Sequence, residues 1–145
     1  MKEFAIDIQL RWADLDPNFH VRHSVYYDWA AQCRVSFFEK IKLTTERMQE
    51  LHIGPILFRE ECVFKREVRS GDILSVDLKL AKSKRNYSRW TIQHTIKKGE
   101  EIIAALITVD GAWIDTNLRK LAVPPKEAIT VFSEMPVSEN FSWID

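Results

Sequence analysis

The chain has little of what staples, anchors or breaks up a protein. Its 145 residues include only two cysteines, four glycines and five prolines. Cys33 and Cys62 sit in apolar segments with neither CxxC nor Cys/His spacing, which argues against a disulfide framework and a zinc site. Both are expected to be reduced core residues of an intracellular protein. Net charge is missing too: 21 basic residues balance 21 acidic ones, so a global nucleic-acid or polyanion binder is excluded and any phosphate site must be a local patch. No apolar run is long enough for a signal core or a membrane span, and the N-terminal MKEFAIDIQL carries a polar residue at nearly every second place. The expectation is a cytoplasmic chain with no metal and neither nucleic-acid nor membrane partners. No repeats, low-complexity runs or linkers interrupt it, so residues 1–145 are expected to form one domain with a real core.

What the chain has instead is a change of hydrophobic period. Phe4, Ile6, Ile8, Leu10 and Trp12 alternate with Ala5, Asp7, Gln9 and Arg11, the pattern of a half-buried strand that delivers Asp14 and Asp16 to its end. A turn with Pro17, Asn18 and His20 follows. Tyr26, Trp29, Ala30, Cys33 and Phe37 then recur at helical spacing to about Lys40, with Ser24 as a possible cap and Asp28 where the helix dipole favours an anion. Leu43 to Leu51 predicts a short helix capped by Thr44 or Thr45 and ended by Gly54-Pro55.

Four strands are expected after that. Ile56 to Val68 comes first, then a turn at Ser70-Gly71-Asp72, then Leu74, Val76, Leu78 and Leu80 on one face of a second. The basic turn Ser83 to Asn86 leads to a third, with Ser88, Trp90, Ile92, His94 and Ile96 on one face. Beyond Lys98-Gly99-Glu100, Ile102 to Ile114 is apolar on both faces and should lie centrally. Asp110-Gly111 inside it reads as a hairpin turn or a bulge, with the bulge favoured because Ala112-Trp113-Ile114 continues the apolar run. Pro124-Pro125 stops the sheet, Lys126 to Ser133 predicts one surface helical turn, and the tail to Asp145 is expected to be loose. One strand, one long buried helix and four antiparallel strands make an α+β order.

Chemistry concentrates between Trp12 and Arg34. A polar loop feeding a helix start places carboxylate and imidazole beside backbone N–H groups that favour developing negative charge. From the residues alone, Asp16 is either a base or the acceptor of an Asx turn into Pro17-Asn18, and His20 and Asn18 are either site or turn residues.

The segment DLDPNFHVRHSVYYDW, residues 14–29, resembles the Asp-x-Asp-x-x-Gly-His-Val-Asn-Asn-x-x-Tyr signature of hotdog-fold acyl thioesterases. It is similar to both the single-domain 4-hydroxybenzoyl-CoA type and the acyl-ACP type. Phe19 stands where glycine is usual, and Arg22 and His23 replace the two asparagines. The resemblance implies a five-stranded antiparallel sheet wrapped around a long central helix, and hydrolysis of an acyl-CoA or acyl-ACP thioester. It makes Asp16 the base or nucleophile, Asn18 and His20 positioning and acid/base groups, and the His23 backbone N–H an oxyanion donor. Phe64 to Val68 resembles the Tyr-Arg-Arg-Glu-Cys stretch of the acyl-ACP enzymes, which nominates Glu67, while Val68 excludes a thiol at the next position. Lys82, Lys84, Arg85 and Arg89 are candidates for coenzyme A phosphates or an acidic carrier protein. Phe19 and Tyr26, with Trp12, Trp29 and Phe58, are candidates for an acyl pocket or for the core. No cofactor is implied beyond the coenzyme A or phosphopantetheine of the substrate. A homodimer or dimer of dimers is implied, paired edge to edge with sites at the boundary. The competing functions are a noncatalytic acyl-binding dimer and a hotdog hydratase or dehydratase. The latter's acid and histidine stand five positions apart, against four for Asp16 and His20.

Overall fold

A computed structural model describes residues 3–144. Strand β1 (Ala5–Ile8) leads through one 3-10 turn (Trp12–Asp14) and a loop into helix α1 (Val25–Lys40) and the short helix α2 (Thr45–Leu51). The chain continues as β2 (Ile53–Phe64), β3 (Leu74–Asp77), β4 (Lys79–Lys84), β5 (Arg89–Lys98), β6 (Ile102–Asp115) and β7 (Lys120–Leu121). Helix α3 (Lys126–Glu134) and β8 (Val137–Ile144) complete it.

Strands β3 and β4 are two halves of one strand bent at Leu78. Both pair with β5, β1 pairs with β3, β5 pairs with β6, and β6 pairs with β2, all antiparallel. The core order is therefore β1, β3/β4, β5, β6, β2, with β6 interior as its two-faced apolar pattern required. The sheet curls around α1, which buries Tyr26, Trp29, Ala30, Cys33, Phe37 and Phe38. Burying a side chain such as Phe37, which is fully inaccessible, is worth about 1.5–3 kcal/mol. The inward alternation of Leu74, Val76, Leu78 and Leu80, and of Trp90, Ile92, His94 and Ile96, holds as expected. No helix among the described residues is long and apolar enough to cross a membrane.

Several boundaries differ from the sequence expectation, each for a local reason. The first strand ends at Ile8 because its ladder partner begins at Leu74; Trp12 turns outward and is 82% exposed. Ser24 gives α1 no side-chain cap, whereas Thr44 Oγ1 accepts from the Arg47 N–H at 3.1 Å and caps α2. Gly54-Pro55 does not end a helix but lies inside β2. His52, left-handed at φ 55°, makes that reversal, and Pro55 is tolerated because β2 is an edge strand. That strand stops at Phe64 rather than Val68, since the Lys65 and Arg66 N–H groups both donate to Ala104 O. Val68 and Arg69 pair instead with the loop before α1.

Asp110-Gly111 forms no hairpin. The irregularity lies in the facing strand, where Leu57 pairs Gly111 and Arg59 pairs Asp110, leaving Phe58 extra. Gly111 is required for another reason: a Cβ there would stand 2.3 Å from the Trp90 ring and 2.6 Å from Ile56 O. Gly111→Ala is expected to destabilise by about 1–3 kcal/mol, read as a lower urea midpoint with unchanged slope. The tail is not loose. Phe132 of α3 packs against Phe38, Tyr87, Trp90 and Trp113, and β8 adds a parallel strand to β4. The eight-stranded sheet thus exceeds the five strands expected.

Candidate active site

The loop between β1 and α1 is held from beneath by Asp14. Its carboxylate is buried and accepts from the Arg11 N–H at 3.0 Å and the Arg11 guanidinium at 2.6 Å. Burial pushes the Asp14 carboxyl up, but the Arg11 hydrogen bonds and charge outweigh it and hold the group below the usual carboxylate range. The loop then closes on itself, with Leu15 bridging Val21 and the Asp16 N–H donating to His20 O at 2.8 Å. Asp16 Oδ1 accepts from the Asn18 N–H at 2.8 Å and the His20 N–H at 3.1 Å, so this oxygen makes the Asx turn. Oδ2 receives no hydrogen bond from the described residues. Phe19 is left-handed at φ 63°, the conformation for which glycine is the usual residue. The loop therefore keeps the glycine geometry with a bulky side chain, which points outward against exposed Trp12 at 6.3 Å between ring centroids.

His20 bridges Arg69 in the backbone, and the Val21 N–H donates to Val68 O at 3.1 Å. That pairing brings Glu67 to His20 within one chain: Nε2 lies 2.6 Å from Glu67 Oε2. With the carboxylate ionised, the contact requires the proton on Nε2, and a neutral ring then offers the Nδ1 lone pair as a proton acceptor. Glu67 is itself held by Arg69, 3.2 Å from the same oxygen, while Lys98 Nζ donates to the Glu67 carbonyl at 2.9 Å.

A cleft of about 340 Å³ opens here, lined by His20, Val21, His23, Tyr26, Phe64, Lys65, Arg66, Glu67 and Val68. Tyr26 and Phe64 meet edge to face at 5.0 Å and give it an apolar wall. The His23 N–H has no acceptor among the described residues and sits just before α1, where positive potential concentrates. An acid, an imidazole oriented by a second acid, a free N–H and an apolar wall are the parts that acyl transfer to water needs.

A family model described as the thioesterase-like superfamily matches residues 10–134. The chain belongs to the thioesterase-like superfamily. Membership places it among thioester hydrolases, on a hotdog fold. The 1,4-dihydroxy-2-naphthoyl-CoA thioesterase of Synechocystis superposes with a TM-score of 0.80 at 19% identity, covering 91% of this chain and 96% of that one. The DHNA-CoA thioesterase of Staphylococcus aureus gives 0.81 at 16% identity, with 92% and 91% covered. A Thermus thermophilus thioesterase solved with coenzyme A and zinc gives 0.72 at 22%, with 88% and 90% covered. Likeness at these identities speaks for the fold. A search of curated proteins finds no match.

Of the residues nominated from sequence in this thioesterase-like chain, His20, His23, Tyr26 and Glu67 line one cleft. Asp16 and Asn18 belong to the turn beside it. The basic set stands apart. Lys82, Lys84, Arg85 and Arg89 flank the turn between β4 and β5, where Arg85 lies over Trp143 and Arg89 over Phe58. Arg89 pairs with Ala112, whereas Ile96, seven residues along the same strand, is level with Ala105 and Phe64 at the cleft. At about 3.3 Å per residue the separation is roughly 23 Å.

Arg34 escaped notice in the sequence. It is only 9% exposed, and Nη1 lies 3.0 Å from His94 Nε2, while His94 Nδ1 donates to Asp77 O at 2.7 Å. The signal was present: Arg34 follows Ala30 and precedes Phe38 by four residues each, a core position.

Proposed function

We propose that the chain hydrolyses an acyl-CoA thioester as a homodimer joined along β2. The observation that carries this is the 2.6 Å His20–Glu67 contact facing an apolar-walled cleft beside the unpaired His23 N–H. Water adds to the thioester carbonyl, and its proton passes to Asp16 Oδ2 or His20 Nδ1. The carbonyl oxygen gains charge against the His23 N–H, and collapse expels the thiolate, which takes the proton back as the acid leaves. Lys65 and Arg66 on the cleft suit the phosphates of coenzyme A, and a similarly folded thioesterase binds that molecule.

The dimer is supported by the unpaired edge of β2, where Phe58, Val63 and Phe64 are exposed. An edge of this length is ordinarily covered. Antiparallel pairing of two β2 strands sets the Ile53 end of one beside the Phe64 end of the other. Arg89 of one protomer, level with Ile56 through Ala112, then lies nearer the cleft of its partner than its own, three residues along the strand from the partner's Phe64 level rather than the seven that make roughly 23 Å within one chain.

Thiol release measured on a panel of acyl-CoA and acyl-carrier-protein thioesters decides the matter. Turnover is expected on coenzyme A esters. Faster turnover on carrier-protein esters reassigns the carrier, and binding without thiol release returns the chain to the noncatalytic alternative.

A further inference from the structure

A second cavity lies between α1, α2 and β2, away from the cleft. It measures about 260 Å³ and is lined by Ala31, Val35, Phe38, Met48, Leu57 and, among others, Arg34 and Trp90. At about 30 Å³ per water-sized group it holds eight or nine non-hydrogen atoms. Its lining is apolar except for Thr45, the Trp90 ring nitrogen and one cation. The Arg34 guanidinium stays charged at any pH the fold survives, and its one hydrogen bond among the described residues goes to His94, which is neutral. No carboxylate of the described residues forms an ion pair with it. Glu60, exposed at the β2 edge but on the same sheet face as its buried partner Val109, is near enough to be felt electrostatically yet forms no ion pair with Arg34. Trp90 adds an indole N–H that is buried without an acceptor among the described residues. A buried cation costs several kcal/mol unless an anion meets it, and here a hollow takes the place of that anion.

We propose that this cavity holds the distal carboxylate of the acyl group, so that the preferred substrate is a half-thioester of a dicarboxylic acid. The inference rests on the thioesterase function proposed above and names its substrate class. Cleft and cavity both lie between α1 and β2: Tyr26 and Phe64 bound the first, Arg34 and Leu57 the second. His23, two residues before α1, and Arg34 are eleven residues apart, about 16 Å at the helical rise of 1.5 Å per residue. An acyl chain of that span sets its thioester at the His23 N–H and its far oxygen atoms on Arg34.

The test compares kcat/KM for coenzyme A half-thioesters of dicarboxylic acids with methyl-ended acyl-CoA esters of equal length. A charge-assisted hydrogen bond predicts a preference of about 10-fold to 100-fold for the carboxylate. Arg34→Met is expected to abolish it, and so is Ala31→Leu, which fills the cavity while leaving Arg34 and His94 in place should Arg34→Met fail to fold. Calorimetric binding of free glutarate, small enough for the cavity, to the wild-type protein gives a readout independent of hydrolysis. Glutarate bound by the wild type but not by Ala31→Leu supports the cavity even if no thioester is cleaved, in which case the hydrolase function alone fails. Equal or lower kcat/KM for the carboxylate esters with no glutarate bound overturns the inference and leaves the hydrolase function standing.

Discussion

Asp16→Asn is expected to lower kcat on the best coenzyme A thioester by about 10²–10⁴-fold, the usual contribution of a positioned proton acceptor, with thermal stability nearly unchanged. Asparagine is the informative replacement because Asp16 does two things. Oδ1 accepts the Asn18 and His20 N–H groups and shapes the turn, and the amide oxygen of asparagine can do the same. Only the charge and the basic Oδ2 are lost. Asp16→Ala removes the turn as well, so any extra loss of stability in that variant reports the Asx turn, worth about 1 kcal/mol as a typical local hydrogen bond. The competing assignment gives His20 Nδ1 the proton, with Glu67 orienting the ring from 2.6 Å. Under it, His20→Gln falls by the same large factor while Asp16→Asn keeps turnover within a few-fold. Single-turnover thiol release on the two variants, with folding checked by circular dichroism, distinguishes them.

The parts of this fold legible in the sequence are those set by short-range pattern. Alternation marked β3 to β5 because each buries one face, a two-faced apolar run marked β6 because it lies inside the sheet, and the helical spacing of Tyr26, Trp29, Ala30, Cys33 and Phe37 marked α1 because that face meets the sheet. Where the sequence misled, the deciding partner was remote. Nothing near Ile8 says that its ladder ends at Leu74, and nothing near Phe64 says that Ala104 O will draw in two successive N–H groups and free Val68 for the loop. The tail was misjudged because its exposed face is polar, yet Phe132 fills a hollow among four rings contributed by α1, β5, β6 and the turn before β5. The site divides in the same way. The residues of one loop, Asp16 to His23, were recognisable together, and Glu67 could be placed by resemblance. Its contact with His20 needs the diversion at Phe64. Arg34 and His94 stayed hidden since a cation on a helix and an imidazole on a strand become a pair only when the sheet curls.

That pair governs the second large effect, a loss of stability in acid. His94 is fully buried. Burial, and secondarily the Arg34 charge, push its imidazole down to about 3 against an ordinary 6.5, with the Asp77 carbonyl opposing. Between those two values the unfolded chain binds a proton that the folded chain refuses, so stability rises with pH across the window. It is fully present above pH 6.5 and declines as the pH falls toward 3, at about 1.4 kcal/mol per unit and roughly 5 kcal/mol in all. Asp14, held low by Arg11, adds a loss of the same sign, but only below the ordinary aspartate range. Asp77 works against both, because burial raises its carboxyl and the folded state takes up that proton first. Urea unfolding at a series of pH values from 7 to 4 is expected to show the midpoint dropping already at pH 6, where carboxylates remain ionised. His94→Gln, whose amide oxygen can still accept from Arg34, should start less stable at pH 7 and lose the slope between pH 6.5 and 5. A slope unchanged in that variant would transfer the acid sensitivity from the Arg34–His94 pair to the surface carboxylates.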